Sequence, residues 1–150
     1  MTVPQALDQI LVHLITSTKY CTPSITPALR PRLYEYMAGT LERMGCPSMQ
    51  IAGTTDHIHV LFLLGPALAA SHVIGEIKKS SAKWMKTQGV NTFAWQSGHG
   101  IFSIGEPQLD RILNYLQSQE ATHKKVSFQD EVRWLLKHQK VAYDERYVWD

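Results

Sequence analysis

HIHVLFLL, residues 57–64, is the stretch that decides how this chain is read. Apart from its two histidines, every residue in it is apolar. Side chains alternate across a strand, so His57, His59, Leu61 and Leu63 share one face, and Ile58, Val60, Phe62 and Leu64 line the other. A strand that is apolar on both faces belongs in the middle of a sheet covered on both sides. Gly65 and Pro66 end the run. Same-face neighbours on a strand lie about 6–7 Å apart along the backbone, so the two imidazoles can converge on one ion. H-x-H by itself is also compatible with two polar residues that merely open a buried strand.

Working outward, residues 49–54 read as a second strand, joined to the first through Thr55 and Asp56 as a hairpin. Residues 10–17, ILVHLITS, are rich in β-branched side chains and precede a polar, proline-containing turn, which predicts a buried strand. Thr26 as a cap and Pro27 at the first helical position open a helix. Its apolar positions are Leu29, Leu33, Tyr36, Met37, Leu41 and Met44, and Gly45 ends it. A second helix fits residues 71–86, with Val73, Ile74, Ile77, Trp84 and Met85 on one side and Lys78, Lys79, Lys83 and Lys86 on the other. Residues 93–104 read as one bulged strand, or as two short strands around a turn at Gly98 and Gly100. A third helix is expected from Pro107 to about Lys124 along the stripe Leu109, Ile112, Leu113, Leu116. A fourth starts at Ser127, where S-x-x-D resembles a capping box. The order strand, helix, strand, strand, helix, strand, helix, helix predicts an α+β sheet of split βαβ type with helices packed on one face or both.

Composition narrows the function classes. A chain of 150 residues with 44% apolar and 19% charged residues is one globular domain, neither disordered nor fibrous. A net charge of +2 supplies no bulk field for a polyanion, so a nucleic-acid partner must meet a local patch. Lys78, Lys79, Lys83 and Lys86 form one candidate, and His123, Lys124 and Lys125 a second. Cys21 and Cys46 do not make a disulfide framework. No stretch approaches the roughly 20 apolar residues of a membrane span, and the start MTVPQALDQI lacks a secretory pattern, so the cytoplasm is the expected compartment.

Two histidines are an incomplete metal site. His99, Glu106 and His123 are conceivable third ligands, and spacing singles out none of them. Tyr115 and Gln119 stand four apart on the third helix and therefore stack on one side, at the edge of its apolar stripe. A helix docked through that stripe would offer a phenol and an amide oxygen to a neighbouring site.

Taken together, these segments resemble the single-tyrosine, His-hydrophobe-His (HUH) transposases of the IS200/IS605 type. HLITSTKY (residues 13–20) is similar to the family's opening strand, and DHIHVLFLL (56–64) to its metal-binding strand. WQSGHGIFSIG (95–105) is similar to its Trp-Gly-x-Gly-x-Phe segment, and YLQSQEATHKKVSFQDEV (115–132) to the segment carrying the nucleophilic tyrosine with glutamine four residues later. YDERYVWD (143–150) is similar to the ending of many relatives.

The resemblance implies one domain over residues 1–150 with an antiparallel, ferredoxin- or RRM-like sheet, the HUH endonuclease fold. It implies a transposase that cuts and joins single-stranded DNA at hairpin-marked element ends through a 5′-phosphotyrosine. By position Tyr115 would be the nucleophile, and His57, His59 and Gln119 would hold a divalent cation, Mg2+ or Mn2+. Imidazole ligands ordinarily favour softer metals than magnesium, so the choice of ion stays open. The implied partners are hairpin DNA, its backbone positioned by the lysines of the second helix, and a second copy of the chain, with residues 93–104 as the candidate edge for sheet pairing. A hairpin-binding descendant without transposition, and a zinc-binding hydrolase built on the histidine pair, are the alternatives. The chain departs from relatives at His99, where tyrosine is frequent, and at Thr55, where proline is common before Asp56.

Overall fold

The computed structural model describes residues 6–119, 126–146 and 148–149. Four strands form one sheet in the order β2-β3-β1-β4: β1 (Leu11–Ser17), β2 (Ser48–Gly53), β3 (His57–Leu63) and β4 (Gly100–Ile104). Each neighbouring pair is antiparallel. Helices α1 (Arg30–Arg43), α2 (Ala70–Thr87), α3 (Leu109–Gln117) and α4 (Phe128–His138) complete the α+β fold. The predicted central strand is central: β3 pairs with β2 on one side and β1 on the other.

The alternation along β3 divides the interior. Ile58, Val60 and Phe62, with Val12 and Leu14 of β1, meet Leu33, Met37 and Leu41 of α1 and Val73, Ile74, Ile77 and Met85 of α2 in the main core. The opposite face is covered in two patches. Leu11, Leu61 and Ile104 pack under Leu116 of α3, and Ile15 and Phe102 pack under Phe128, Val132, Leu135 and Leu136 of α4. His57 and His59 open onto this second face and are fully buried. Each apolar side chain buried on the far side of β3 contributes about 1.5–3 kcal/mol, enough to offset burial of an imbalanced polar group at about 1–3 kcal/mol. The strand can therefore carry two buried imidazoles without losing its place.

Local chemistry sets the ends of the elements. The hairpin before β3 closes through Thr54 N donating to His57 O at 3.0 Å. A Cβ on Gly53 would collide with the carbonyl oxygen of His57, so only glycine lets β2 approach this closely. The first helix starts at Arg30, later than the sequence suggests, because Thr26 to Arg30 close a turn first and Pro31 falls in the opening turn. Residues 93–104 resolve into two short pieces, a lone bridge between Thr18 and Trp95 and then β4. The third helix ends at Gln117 instead of running to about residue 124. The Ser118 hydroxyl donates back to Asn114 O and Tyr115 O, and its backbone leaves the helical region. Residues 120–125, including His123, Lys124 and Lys125, lie outside the described residues. Ser127 caps α4, its hydroxyl accepting from Asp130 N at 3.2 Å as the S-x-x-D pattern suggested.

Candidate active site

Four segments converge on the second face of the sheet. His57 and His59 come from the start of β3, His13 from β1, Tyr115 and Gln119 from α3 and the residues just beyond it, and Glu131 from the first turn of α4. The two apolar patches under α3 and α4 flank the site, so each helix is fixed by packing before its polar residues meet.

Each histidine turns one ring nitrogen inward and commits the other. His59 Nε2 lies 2.6 Å from Glu131 Oε1, and His57 Nε2 lies 3.3 Å from Gln119 Oε1 and 3.8 Å from Glu131 Oε1. On the outward side, His57 Nδ1 is 2.8 Å from Asp56 Oδ1 and 3.0 Å from Thr54 Oγ1, and His59 Nδ1 is 2.8 Å from His13 Nε2. The tautomers follow from these partners. Asp56 accepts a hydrogen bond from His57 Nδ1–H, which leaves the Nε2 lone pair of His57 facing the centre. His13 is buried, and desolvation with His59 beside it lowers its pKa to about 3, so its neutral Nε2 can accept from His59 Nδ1. Outward N–H bonds of this kind are how metal-binding histidines are oriented and made more basic.

The inward atoms fit a cation. One ligand atom from each of His57, His59 and Glu131 falls within 4.8 Å of the others, and all three residues are buried. Ligand distances of about 2.0–2.2 Å are compatible with that spread. Gln119 adds an amide oxygen, and its Nε2 is buried with no hydrogen-bond partner.

Tyr115 stands at the edge of the cluster, its ring 5.7 Å from that of His59 and nearly perpendicular to it. Its hydroxyl is buried without a well-formed hydrogen bond, although Glu131 and Gln119 both lie close enough to act on its proton. Desolvation, and then the negative charge of Glu131, push the phenol well above the ordinary tyrosine range. In this arrangement Tyr115 is a neutral phenol, and forming a phenolate there calls for added positive charge.

Tyr115, His57, His59 and Gln119 therefore meet in one place, within a single chain. Glu131 was not singled out from the sequence. Its signal was present, because Phe128, Glu131, Val132 and Leu135 follow helical spacing and put one carboxylate in an otherwise apolar stripe. Of the other conceivable ligands, His123 lies outside the described residues, and Glu106 and His99 are elsewhere. Glu106 accepts from Gln9 Nε2 at 2.9 Å on the surface, and His99 sits beside Lys78.

The lysines of α2 have separate occupations. Lys78 Nζ donates to Gln96 O, Ser97 O and Gly98 O at 3.1, 3.3 and 2.8 Å, and burial lowers its pKa to about 8. It clamps the loop before β4. Lys79, Lys83 and Lys86 are exposed, but α2 covers the main core, so they lie across the sheet from the histidines.

Comparison with known proteins bears on the family and the fold. Residues 6–119 match the family described as "Transposase IS200 like". A crystal structure of a protein assigned as a transposase in Deinococcus radiodurans R1 superposes with a TM-score of 0.62 at 17% identity, covering 79% of this chain and 98% of that one. A REP-associated tyrosine transposase bound to a REP hairpin superposes with a TM-score of 0.62 at 13% identity, covering 96% of this chain and 92% of that one. No curated protein sequence matches the chain. Among the described residues, no helix is long and apolar enough to cross a membrane.

Proposed function

The chain belongs to the IS200-like transposase family, and on that premise we propose that it is a metal-dependent endonuclease and strand transferase for single-stranded DNA, with Tyr115 as nucleophile. The observation that carries the reading is the buried meeting of that phenol with the His57, His59, Gln119 and Glu131 donors. His57, His59 and Gln119 are the metal ligands, and Glu131 completes the set. A divalent cation bound there, Mg2+ or Mn2+, would supply positive charge to a phosphate and to the phenolate.

The chain's own residues do the rest. Asp56 and His13 hold the imidazoles in register, and the helical stretch through Tyr115 fixes the phenol for in-line approach. The Tyr115 oxygen forms a bond to phosphorus as the bond from phosphorus to the 3′-oxygen breaks. The phenol gives up its proton, and the departing oxygen takes one up as a 3′-hydroxyl. The product is a 5′-phosphotyrosine. Attack by another 3′-hydroxyl reverses the exchange and joins strands with no loss in the number of phosphoester bonds, so no ATP is consumed.

The substrate is DNA carrying a hairpin, a reading supported by the relative described as bound to a REP hairpin. Lys79, Lys83 and Lys86, exposed on the α2 side, would position a DNA backbone that passes round the sheet, not one confined to the histidine face. Two copies pair through β4, an edge strand of the sheet. The working compartment is the cytoplasm.

One observation favours a second reading. Two imidazoles and a glutamate are also a zinc donor set of hydrolytic enzymes. Labelled single-stranded hairpin oligonucleotides with Mg2+ or Mn2+ separate the two. The transposase reading expects a covalent adduct that survives denaturation and is lost in Tyr115→Phe and His57→Ala. Cleavage that persists in Tyr115→Phe overturns it and leaves the zinc reading standing.

A further inference from the structure

We propose that the pocket beside Tyr20 holds an unpaired base of single-stranded DNA next to the cleaved phosphate, a site that deepens the function proposed above and rests on it. Lys19, Tyr20, Gln96, Ser97 and Trp149 line a cavity of about 340 Å³. Two aromatic rings, an amide, a hydroxyl and a cation form the set that stacks a base, meets its polar edge and neutralises the adjoining phosphate.

Tyr20 supplies the main observation. The residue is 85% exposed, although large aromatic residues are ordinarily placed to bury their surface. Its backbone is left-handed at φ 59, and Cys21 follows at φ 52. For a bulky residue this conformation is an outlier that persists only where its surroundings impose it. Here they do so through Cys21 N to Thr18 O at 3.0 Å, Thr22 N to Lys19 O at 3.3 Å, Lys19 N to Ala94 O at 2.8 Å and Thr18 Oγ1 to Thr22 O at 2.7 Å. The chain thus holds an aromatic ring out in solvent on a strained but well-tied turn. The Lys19 ammonium stands 5.4 Å from the centre of that ring.

The turn is also tied to the catalytic cluster. Thr18 N and Thr18 Oγ1 donate to Asp56 O at 2.8 and 3.1 Å, and Asp56 is the residue that orients His57. Gln96 fastens the opposite wall, its Oε1 accepting from Ser17 N at 2.8 Å, while Ser17 is the register partner of His57. The pocket wall and His57 therefore share one end of the β1–β3 pair, which is where the base neighbouring a phosphate held at the histidines would lie.

The test measures anisotropy of labelled oligothymidylate and of an abasic strand of equal length, in EDTA so that the metal site is silent. Wild type is expected to favour the base-bearing strand about tenfold. Tyr20→Gly should abolish that preference without lowering Tm, because glycine takes the left-handed backbone freely. Tyr20→Phe should keep it. The pocket is refuted if wild type shows no preference, or if Tyr20→Gly keeps the wild-type one. Adduct formation is scored separately: an adduct with no Tyr20 effect overturns the pocket alone, and base preference without a Tyr115-dependent adduct overturns the catalytic reading alone.

Discussion

At the level of single residues, the site is built from buried groups whose protons are assigned by their neighbours. His59 depends on His13 at 2.8 Å, so His13→Leu is expected to weaken Mn2+ binding roughly 10- to 100-fold while the fold survives, as measured by calorimetric titration. Glu131→Gln should lose at least as much, since it removes a ligand along with its charge. Unchanged affinity in both variants would rule out the proposed donor set. Tyr115 gives a pH prediction. Its folded pKa lies above the unfolded value of about 10, so the unfolded chain sheds that proton first. The contribution to stability is present in full below about pH 10 and falls as pH rises beyond it. Tyr115→Phe should flatten this alkaline decline in Tm relative to wild type. Parallel pH profiles for the two proteins would contradict the buried, neutral phenol.

Elements matter because each delivers one or two groups to the site. The β2–β3 hairpin brings His57 in, and it closes only with glycine at position 53. Gly53→Ala must shift the backbone at His57, and the expected result is a drop in both Tm and metal affinity. A variant that melted lower yet bound metal as wild type would mean that the hairpin supports the sheet without setting the site. Ser127→Ala removes the cap of α4, at a cost of about 1 kcal/mol by denaturant titration. Its effect on metal affinity should be smaller than that of Glu131→Gln, because α4 remains packed through Phe128, Val132 and Leu135. Lys78 works at this scale too. It ties α2 to the loop before β4, so Lys78→Met is expected to raise hydrogen exchange at residues 96–99.

For the molecule as a whole, the sheet acts as a partition. One face holds the main core under α1 and α2, and the other holds the site between the two patches under α3 and α4. An ion that binds only the folded chain must stabilise it. Mn2+ at a hundred times its dissociation constant should add about 2.7 kcal/mol, with Tm rising and EDTA reversing the gain. His57→Ala should erase the response, and a metal-induced shift that survives this substitution would place the ion elsewhere.

Much of this was legible in the chain itself. The apolar character of residues 57–64 on both faces of the strand is a local property, and it determined that β3 is central, while the period of two determined that the histidines share a face and which apolar residues oppose them. The i, i+4 spacing of Tyr115 and Gln119 suggested one shared helix face, but α3 ends at Gln117 and Ser118 leaves the helical region, so their meeting is a tertiary outcome. The partnership of His13 with His59, the arrival of Glu131, and the diversion of Lys78 to backbone carbonyls were decided only in three dimensions. Each joins residues far apart in sequence, 46 positions for the first pair and 72 for Glu131 with His59. No period in the sequence encodes such distances; they arise when apolar stripes on separate helices find their patches on the sheet and carry their polar residues with them.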